Sequence, residues 1–291
     1  MREFRNKVAV ITGAASGIGL GMARAFGREG ARVAMLDRRR DALEAAVEDA
    51  RGLQINAVGI EADVSDAASM EAAALRVEAE FGRVDILCNN AGVLIHDKPV
   101  VDISIAEWDW ILGVNLYGAL HGARAFLPRI QRHGEGGHIV NTASIGGFQV
   151  GAAMRTPAYA TSKFAVVALS EALRNDLAGT NIGVSVLAPA AVDTGIYRSA
   201  QHRPDAFGGP DTGPDPTPDV LRAGARPDVV GRRVVEAIRN GDFYIFTHME
   251  TRDWLVARHE GILRGYDALE RFEADFERVP RMGAFKIEPR T

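Results

Sequence analysis

Tyr159 and Lys163 lie four residues apart in Tyr159-Ala-Thr-Ser-Lys163, in a run that reads as the start of a helix, so both side chains fall on one face. Ser144 closes the apolar stretch before it. A phenol with a pKa near ~10 is only about one part in a thousand ionised at neutral pH, so a tyrosine needs help worth roughly 4 kcal/mol to act as a base. An ammonium within a few ångström supplies much of that, because it stabilises the phenolate and costs the neutral phenol little. Tyr159 would then take a proton from an alcohol or return one to a ketone, while the Ser144 hydroxyl holds the substrate oxygen as charge develops on it. Tyr-x-x-x-Lys alone is also a common pair on exposed helices, so its surroundings decide its meaning.

The stretch KVAVITGAASGIGLGMARAF, residues 7–26, supplies those surroundings. Residues 7–12 are a β-branched apolar run suited to a strand buried on both faces. From Gly17 onward Ile18, Met22, Ala25 and Phe26 recur at helical spacing. Between strand and helix stand Gly13, Ser16, Gly17, Ile18 and Gly19. Glycines here are costly in conformational entropy, and a close approach of backbone to a phosphate would explain them. The free N–H groups of a helix start take a pyrophosphate without any basic side chain. The spacing is Gly-x-x-x-Gly-x-Gly, not the usual Gly-x-Gly-x-x-Gly, and a packing role for the turn stays open at this point. Asp37 ends the next strand, 24 residues beyond Gly13. That is close to the ~20-residue offset at which a carboxylate accepts hydrogen bonds from an adenosine ribose.

Strand and helix alternate through most of the chain. Strands are predicted over 7–12, 31–37, 54–61, 84–88, 138–142, 182–187 and 243–247, and helices over 41–51, 66–81, 105–132, 159–177 and 228–239. Such alternation makes an α/β fold, a doubly wound, seven-stranded parallel sheet with helices on both faces, and places ligands at the carboxyl ends of the strands. Six prolines (Pro204, Pro210, Pro214, Pro216, Pro218 and Pro227) interrupt 194–227, so no long element is predicted there; a lid over the site is. The extension over 248–291 carries Trp254, Leu255, Arg258, Ile262, Tyr266, Leu269, Phe272 and Phe276 near helical spacing, a stripe that predicts packing within or between subunits. One catalytic domain over 1–291 is the expected organisation.

Composition narrows the function classes. The chain has 291 residues, 47% of them apolar, and a net charge of -4, so it offers no footprint for nucleic acid or an anionic membrane. No apolar run approaches the roughly 20 residues of a membrane span, and a cytoplasmic protein is the expectation. One cysteine, Cys88, excludes an internal disulfide and reads as a small buried hydrophobe. The seven histidines form no ligand pattern, so no metal is expected. The tight cluster Arg38 to Arg40 reads as a solvated helix start.

Taken in order, Thr12-Gly-Ala-Ala-Ser-Gly-Ile-Gly19, Asp63-Val64, Asn89-Asn-Ala-Gly92, Asn115, Ser144, Tyr159-x-x-x-Lys163 and Pro189-x-x-Val-x-Thr194 resemble the signature set of the short-chain dehydrogenase/reductase family. The resemblance implies a Rossmann-like fold. It implies that Asp63 and Val64 contact the adenine and that Asn90, Ala91 and Gly92 line the adenosine ribose side. Asn115 would bend its helix and hold a water used by Lys163 in a proton relay. Lys163 would also bond the nicotinamide ribose, Val192 and Thr194 would take the carboxamide, and Ser144 and Tyr159 would face the nicotinamide. Two departures stand out: Ala190 replaces the usual glycine after Pro189, and the segment from Ser144 to Tyr159 is longer than usual, with Gly146-Gly147-Phe148 and Met154-Arg155-Thr156-Pro157 inside it.

Asp37 favours NAD, because a carboxylate repels a 2′-phosphate, whereas Arg38 pulls towards NADP. A unit charge pair at about 4 Å is worth roughly 4 kcal/mol at an effective dielectric near 20, so the two nearly cancel and geometry decides. NAD ranks first and NADP stays open. The substrate expected is a bulky aryl or cyclic secondary alcohol or its ketone, under a lid bearing Tyr197, His202, Arg203 and Phe207 and an aromatic tail. Two alternatives are a non-catalytic dinucleotide sensor of the same fold and a sugar-nucleotide epimerase or dehydratase. The resemblance also implies a homotetramer or homodimer, built partly on the Tyr159 helix, where Ala165, Val166, Val167 and Ala168 would suit the contact.

Overall fold

Seven short strands joined by six crossovers give one parallel sheet in the order β3-β2-β1-β4-β5-β6-β7. A computed structural model of the chain describes residues 1–151, 155–213, 218–275 and 278. Met154, Pro214, Pro216 and Phe276 lie outside the described residues, as does most of 276–291.

The elements are β1 (Val8–Thr12), α1 (Gly17–Arg28), β2 (Arg32–Asp37), α2 (Arg40–Gly52), β3 (Ala57–Glu61), α3 (Ala67–Phe81) and β4 (Ile86–Asn89). They continue with α4 (Ile105–Leu112), α5 (Gly118–Arg132), β5 (Gly137–Thr142), α6 (Pro157–Asp176), β6 (Ile182–Ala188), α7 (Asp219–Arg222), α8 (Pro227–Asn240), β7 (Tyr244–Phe246) and α9 (Thr251–Asp275). The predicted 105–132 helix runs as α4 and α5 joined by a π-helical turn, Gly113–Tyr117. Among the described residues of the proline-rich stretch the helical pieces before α8 are the 3-10 turns Ile196–His202 and Asp205–Phe207 and the one-turn α7.

β1 is buried at every position because both its faces are covered. Ala9 and Ile11 join a core with Met22 and Phe26 of α1, Val47 of α2 and Val234 of α8. Val8 and Val10 point the other way, to Met70 and Val77 of α3 and Phe126 and Ile130 of α5. The strand order reverses beside β1: β2 and β3 lie on one side of it, β4 to β7 on the other. A crevice opens there between the loops that leave β1 and β4. Thr12 fixes its floor, its hydroxyl accepting from the N–H groups of Asn90 at 2.9 Å and Ala91 at 3.0 Å.

One sequence expectation is corrected. Val166 and Val167 are spent on the chain's own core with Ala143 and Val186, so only Ala165 and Ala168 of the four remain towards the surface. The chain divides into two compact units, Met1–Met249 and Glu250–Thr291, and α9 makes up the described part of the second. In the single chain Trp254, Ile262 and Tyr266 of α9 are 47%, 50% and 63% exposed.

α1 and α8 cross backbone to backbone. A Cβ on Gly21 would strike the Pro227 carbonyl, and one on Gly231 would strike the Gly21 carbonyl. Alanine adds about 1 kcal/mol of helix propensity over glycine, but a backbone overlap costs about 1–3 kcal/mol or more and cannot relax by side-chain rotation. Gly231→Ala is therefore expected to destabilise the fold by about 2 kcal/mol, read as a lower urea midpoint. An unchanged or higher midpoint would show that the crossing can widen freely.

Candidate active site

β5 ends at Thr142 and α6 begins with Pro157 at its first turn, where the missing N–H is no loss. These two ends bring Ser144, Tyr159 and Lys163 together at the crevice. Lys163 is 2% exposed; its Nζ donates to the Thr142 carbonyl at 2.8 Å and sits 5.5 Å from the centre of the Tyr159 ring. The Ser144 oxygen accepts from the Gly146 N–H at 3.1 Å, and its hydroxyl donates to the Pro189 carbonyl at 3.4 Å.

Electrostatics in this pocket differ from the sequence expectation. Burial pushes the Tyr159 phenol up to about 12, against the hydrogen bond from Ser144, which lowers it; nearby Tyr197 adds a smaller upward effect. Burial likewise pulls Lys163 down to about 7. Withdrawal from water thus dominates both groups, and Lys163 spends its hydrogen bond on a backbone carbonyl rather than on the phenol. Tyr159 therefore holds its proton at neutral pH.

The glycine turn forms the other end of the same cleft, whose volume is about 570 Å³. Gly13 and Gly17 adopt φ of 64° and 52°, a region that penalises any side chain. Ser16 stands at the N-cap of α1 without a side-chain capping bond, leaving the first-turn N–H groups open to an anion. Asp37 closes β2 and accepts from the Ala15 N–H at 3.2 Å and the Arg39 N–H at 3.0 Å. Asp63 is held by Ser65, its carboxylate accepting from the serine N–H at 2.9 Å and hydroxyl at 2.6 Å. An uncapped helix start, a ribose-height carboxylate and an open groove between them fit a dinucleotide.

The cleft is lined by Gly13, Ser16, Gly17, Ile18, Asp37, Arg38, Asp63, Val64, Asn90, Ala91, Gly92, Ser144, Tyr159, Lys163, Pro189, Val192 and Thr194. Gly19 and Asn115 do not reach its lining. Gly19 lies within α1. Asn115 sits behind, its Oδ1 accepting from the Val93 N–H at 2.8 Å and its Nδ2 donating to the Val93 carbonyl at 3.0 Å and to Ser162 at 2.9 Å. It lies in the π-helical turn, where the helix opens.

Sequence reasoning missed Arg39. The cluster that read as a solvated helix start is divided: Arg39 donates to Asp37 at 3.4 Å and to Ser16 at 3.0 Å, Arg38, though exposed, donates to the His202 carbonyl at 2.6 Å, and the exposed Arg40 faces Glu44 and Glu61. His202 is held below its ordinary range, first by burial and then by Arg39 and Arg38. Trp110 and Val93 were also missed, because apolar residues of helix and loop carry no signal that separates a pocket wall from core. Cys88 is buried in the sheet and burial raises its pKa, as suits a packing residue. Among the described residues one set, Asp85, His133 and Glu135, brings possible metal ligands within 4.8 Å of one another. It lies at the opposite end of β4, and Lys7 and Arg83 already neutralise its carboxylates.

Comparison with known proteins agrees with this geometry. The family model described as short chain dehydrogenase matches residues 7–205. The chain is 34% identical over 282 residues to a C alpha-dehydrogenase of Sphingobium sp. (strain NBRC 103272 / SYK-6), covering 95% of this chain and 91% of the relative. It is 39% identical over 265 residues to a 1-deoxy-11-beta-hydroxypentalenate dehydrogenase of Streptomyces exfoliatus, covering 90% of each. A crystal structure of a short chain dehydrogenase/reductase from Burkholderia phymatum in complex with NAD superposes with a TM-score of 0.84 at 36% identity, over 91% of this chain and 97% of that one. With Tyr159, Lys163 and Ser144 gathered on a groove built for a dinucleotide, and with that likeness running along nearly the whole chain, the protein belongs to the short-chain dehydrogenase family and is an oxidoreductase of that family.

Proposed function

We propose that the protein moves a hydride between NAD and a bulky secondary alcohol or ketone, with an aryl or cyclic group on the carbinol carbon. The observation that carries this is the convergence of Ser144, Tyr159 and Lys163 on the cleft that also holds the glycine turn and Asp37. One relative is named for a hydroxypentalenate and another for dehydrogenation at a Cα position, and a structural neighbour was crystallised with NAD. Asp37 and the turn Gly13 to Gly19 would hold the adenosine ribose and pyrophosphate. NADP is the second cofactor, since Arg39 and Ser16 stand beside Asp37. Asp63 and Val64 would flank the adenine, Asn90 to Gly92 the ribose, and Val192 with Thr194 the carboxamide. When bound, the nicotinamide accepts or supplies the hydride. The chain's residues handle the proton: Ser144 holds the substrate oxygen, Tyr159 donates to a ketone or accepts from an alcohol, and Lys163 stabilises the phenolate.

Residues 194–227 act in this reading as the substrate lid, and its Phe207 and Leu221 would make the apolar wall of the cleft together with Trp110. The protein works in the cytoplasm as a homodimer or homotetramer, as members of the family commonly do. Sedimentation velocity is expected to give a dimer or tetramer; a monomer at micromolar concentration would end that part of the reading. No helix among the described residues is long and apolar enough to cross a membrane.

Incubation with NAD and either 1-phenylethanol or cyclohexanol is expected to build up absorbance of the reduced nicotinamide. Tyr159→Phe should cut kcat by about a thousandfold and move NADH affinity by less than about twofold. No turnover of any secondary alcohol by the unmodified chain would count against the enzyme reading, and intact turnover in the variant would remove Tyr159 from it.

Lys163 yields a stability prediction with a definite sign. Its folded pKa, about 7, lies below its ordinary 10.5, so between those values the unfolded chain binds more protons and stability climbs with pH. Lys163→Met removes that cost. The variant is expected to lose turnover yet melt higher than the unmodified chain at neutral pH, the gap closing as pH nears 10. A lower melting temperature at every pH would show that the ammonium stabilises the fold.

A further inference from the structure

Residues 196–211 cross the mouth of the cleft and are tied back at three places. The Ser199 hydroxyl accepts from the Leu94 N–H at 2.8 Å, and the His202 carbonyl accepts from Arg38 at 2.6 Å. The third tie is an ion pair largely out of water: Arg203 Nη1 lies 2.8 Å from Glu107 Oε1, with the two side chains 13% and 6% exposed.

Both partners of that pair are fully engaged. Arg203 also donates from Nε to the Gly209 carbonyl at 2.8 Å, and its guanidinium lies 6.0 Å from the centre of the Trp110 ring. Glu107 Oε1 takes Lys98 Nζ at 2.6 Å, while Oε2 accepts from the Ser104 N–H at 2.9 Å and hydroxyl at 3.1 Å, closing the capping box of α4. Burial alone would raise the Glu107 carboxyl, but the bonds from Lys98 and Ser104 lower it to about 2, so it stays charged throughout the working pH range. A buried ion pair adds little net stability over well-packed apolar residues. Its use here is positional. Arg203 sits between the two 3-10 turns of the lid, and Phe207, one residue cluster on, packs against the core group of Trp110, Ile95 and Ala158. Trp110 is three residues beyond Glu107 on the same helix, and both Trp110 and Phe207 line the cleft that holds Tyr159.

We propose that Arg203 and Glu107 are positioning residues for the substrate: their ion pair clamps the lid to α4, sets Phe207 against Trp110, and so fixes the apolar wall that receives the ring of an aryl or cyclic alcohol. This rests on the alcohol reading above. Neither Arg203 nor Glu107 belongs to the glycine turn or to the strand end that carries Asp37, and the His202 tie to Arg38 is a separate one, so loss of the clamp weakens the hold on substrate and leaves dinucleotide binding alone.

Arg203→Met tests this. Lys98 and Ser104 remain on Glu107 in that variant, so no buried carboxylate is left unpaired and the fold should survive. Three readouts are compared: the rate of chymotryptic cleavage after Phe207, NADH affinity by fluorescence, and KM and kcat for 1-phenylethanol. Cleavage is expected to accelerate by about tenfold or more as the lid opens locally. KM should rise by about the same factor, with kcat and NADH affinity each within about twofold. Glu107→Gln, which keeps the capping box, should shift cleavage and KM in the same direction, and Arg203→Lys should restore part of both. Unchanged cleavage, or KM and NADH affinity worsening together, would overturn the proposal. If the unmodified chain oxidises no alcohol yet the cleavage difference appears, the alcohol reading and the substrate role fall together, and only the clamp itself stands.

Discussion

An ammonium removed from water is among the least comfortable groups a protein can carry, and this fold is arranged around one. Lys163 has a single hydrogen bond among the described residues, to the carbonyl that ends β5, and a phenol ring for its other neighbour. The penalty, several kcal/mol for an ion of this size, is borne by a core that packs helices on both faces of the sheet. A core residue would be cheaper. What the lysine provides instead is a titratable ammonium 5.5 Å from the Tyr159 ring, where solvent screens its charged form little.

That arrangement needs a rigid frame, and the switch in strand order provides it. β1 and β4 diverge in their connections, so the loops after them separate and leave a groove that no helix fills. Thr12 and Asn90 hold the two loop ends together by side-chain to backbone bonds, with the Asn90 amide donating to the Thr12 carbonyl at 2.9 Å. One end of the groove is lined by the glycine turn and Asp37. The other presents the serine, tyrosine and lysine. The order of strands therefore sets the distance between cofactor binding and proton chemistry.

The lid shows the same economy from the opposite side. Its described residues form only short helical turns, so its position depends on side-chain ties to three separate parts of the frame: the loop after β4, the end of β2 and α4. Arg38 illustrates how context reassigns a residue. Next to Asp37 in sequence, it reaches away to the lid, while Arg39 turns back to the carboxylate and to Ser16. Consecutive residues at a strand end leave in different directions, and only the packed chain decides which one meets the ribose.

Much of this protein was readable from its residues in order. The β-branched runs, the glycine turn, the carboxylate at a strand end and the four-residue spacing of Tyr159 and Lys163 are local patterns governed by backbone sterics and helical geometry, and they determined the strands, most of the helices and the chemistry at issue. Gly19 and Asn115 were legible as motif members but stand outside the lining of the cleft, because a motif records neighbours in sequence and not who reaches the solvent. The direction of the Tyr159 pKa, the partners of Arg38 and Arg39, the burial of Val166 and Val167 and the pairing of Arg203 with Glu107 came only from tertiary structure. Each depends on desolvation or on contacts between residues far apart in the chain, and neither quantity exists until the elements are packed together.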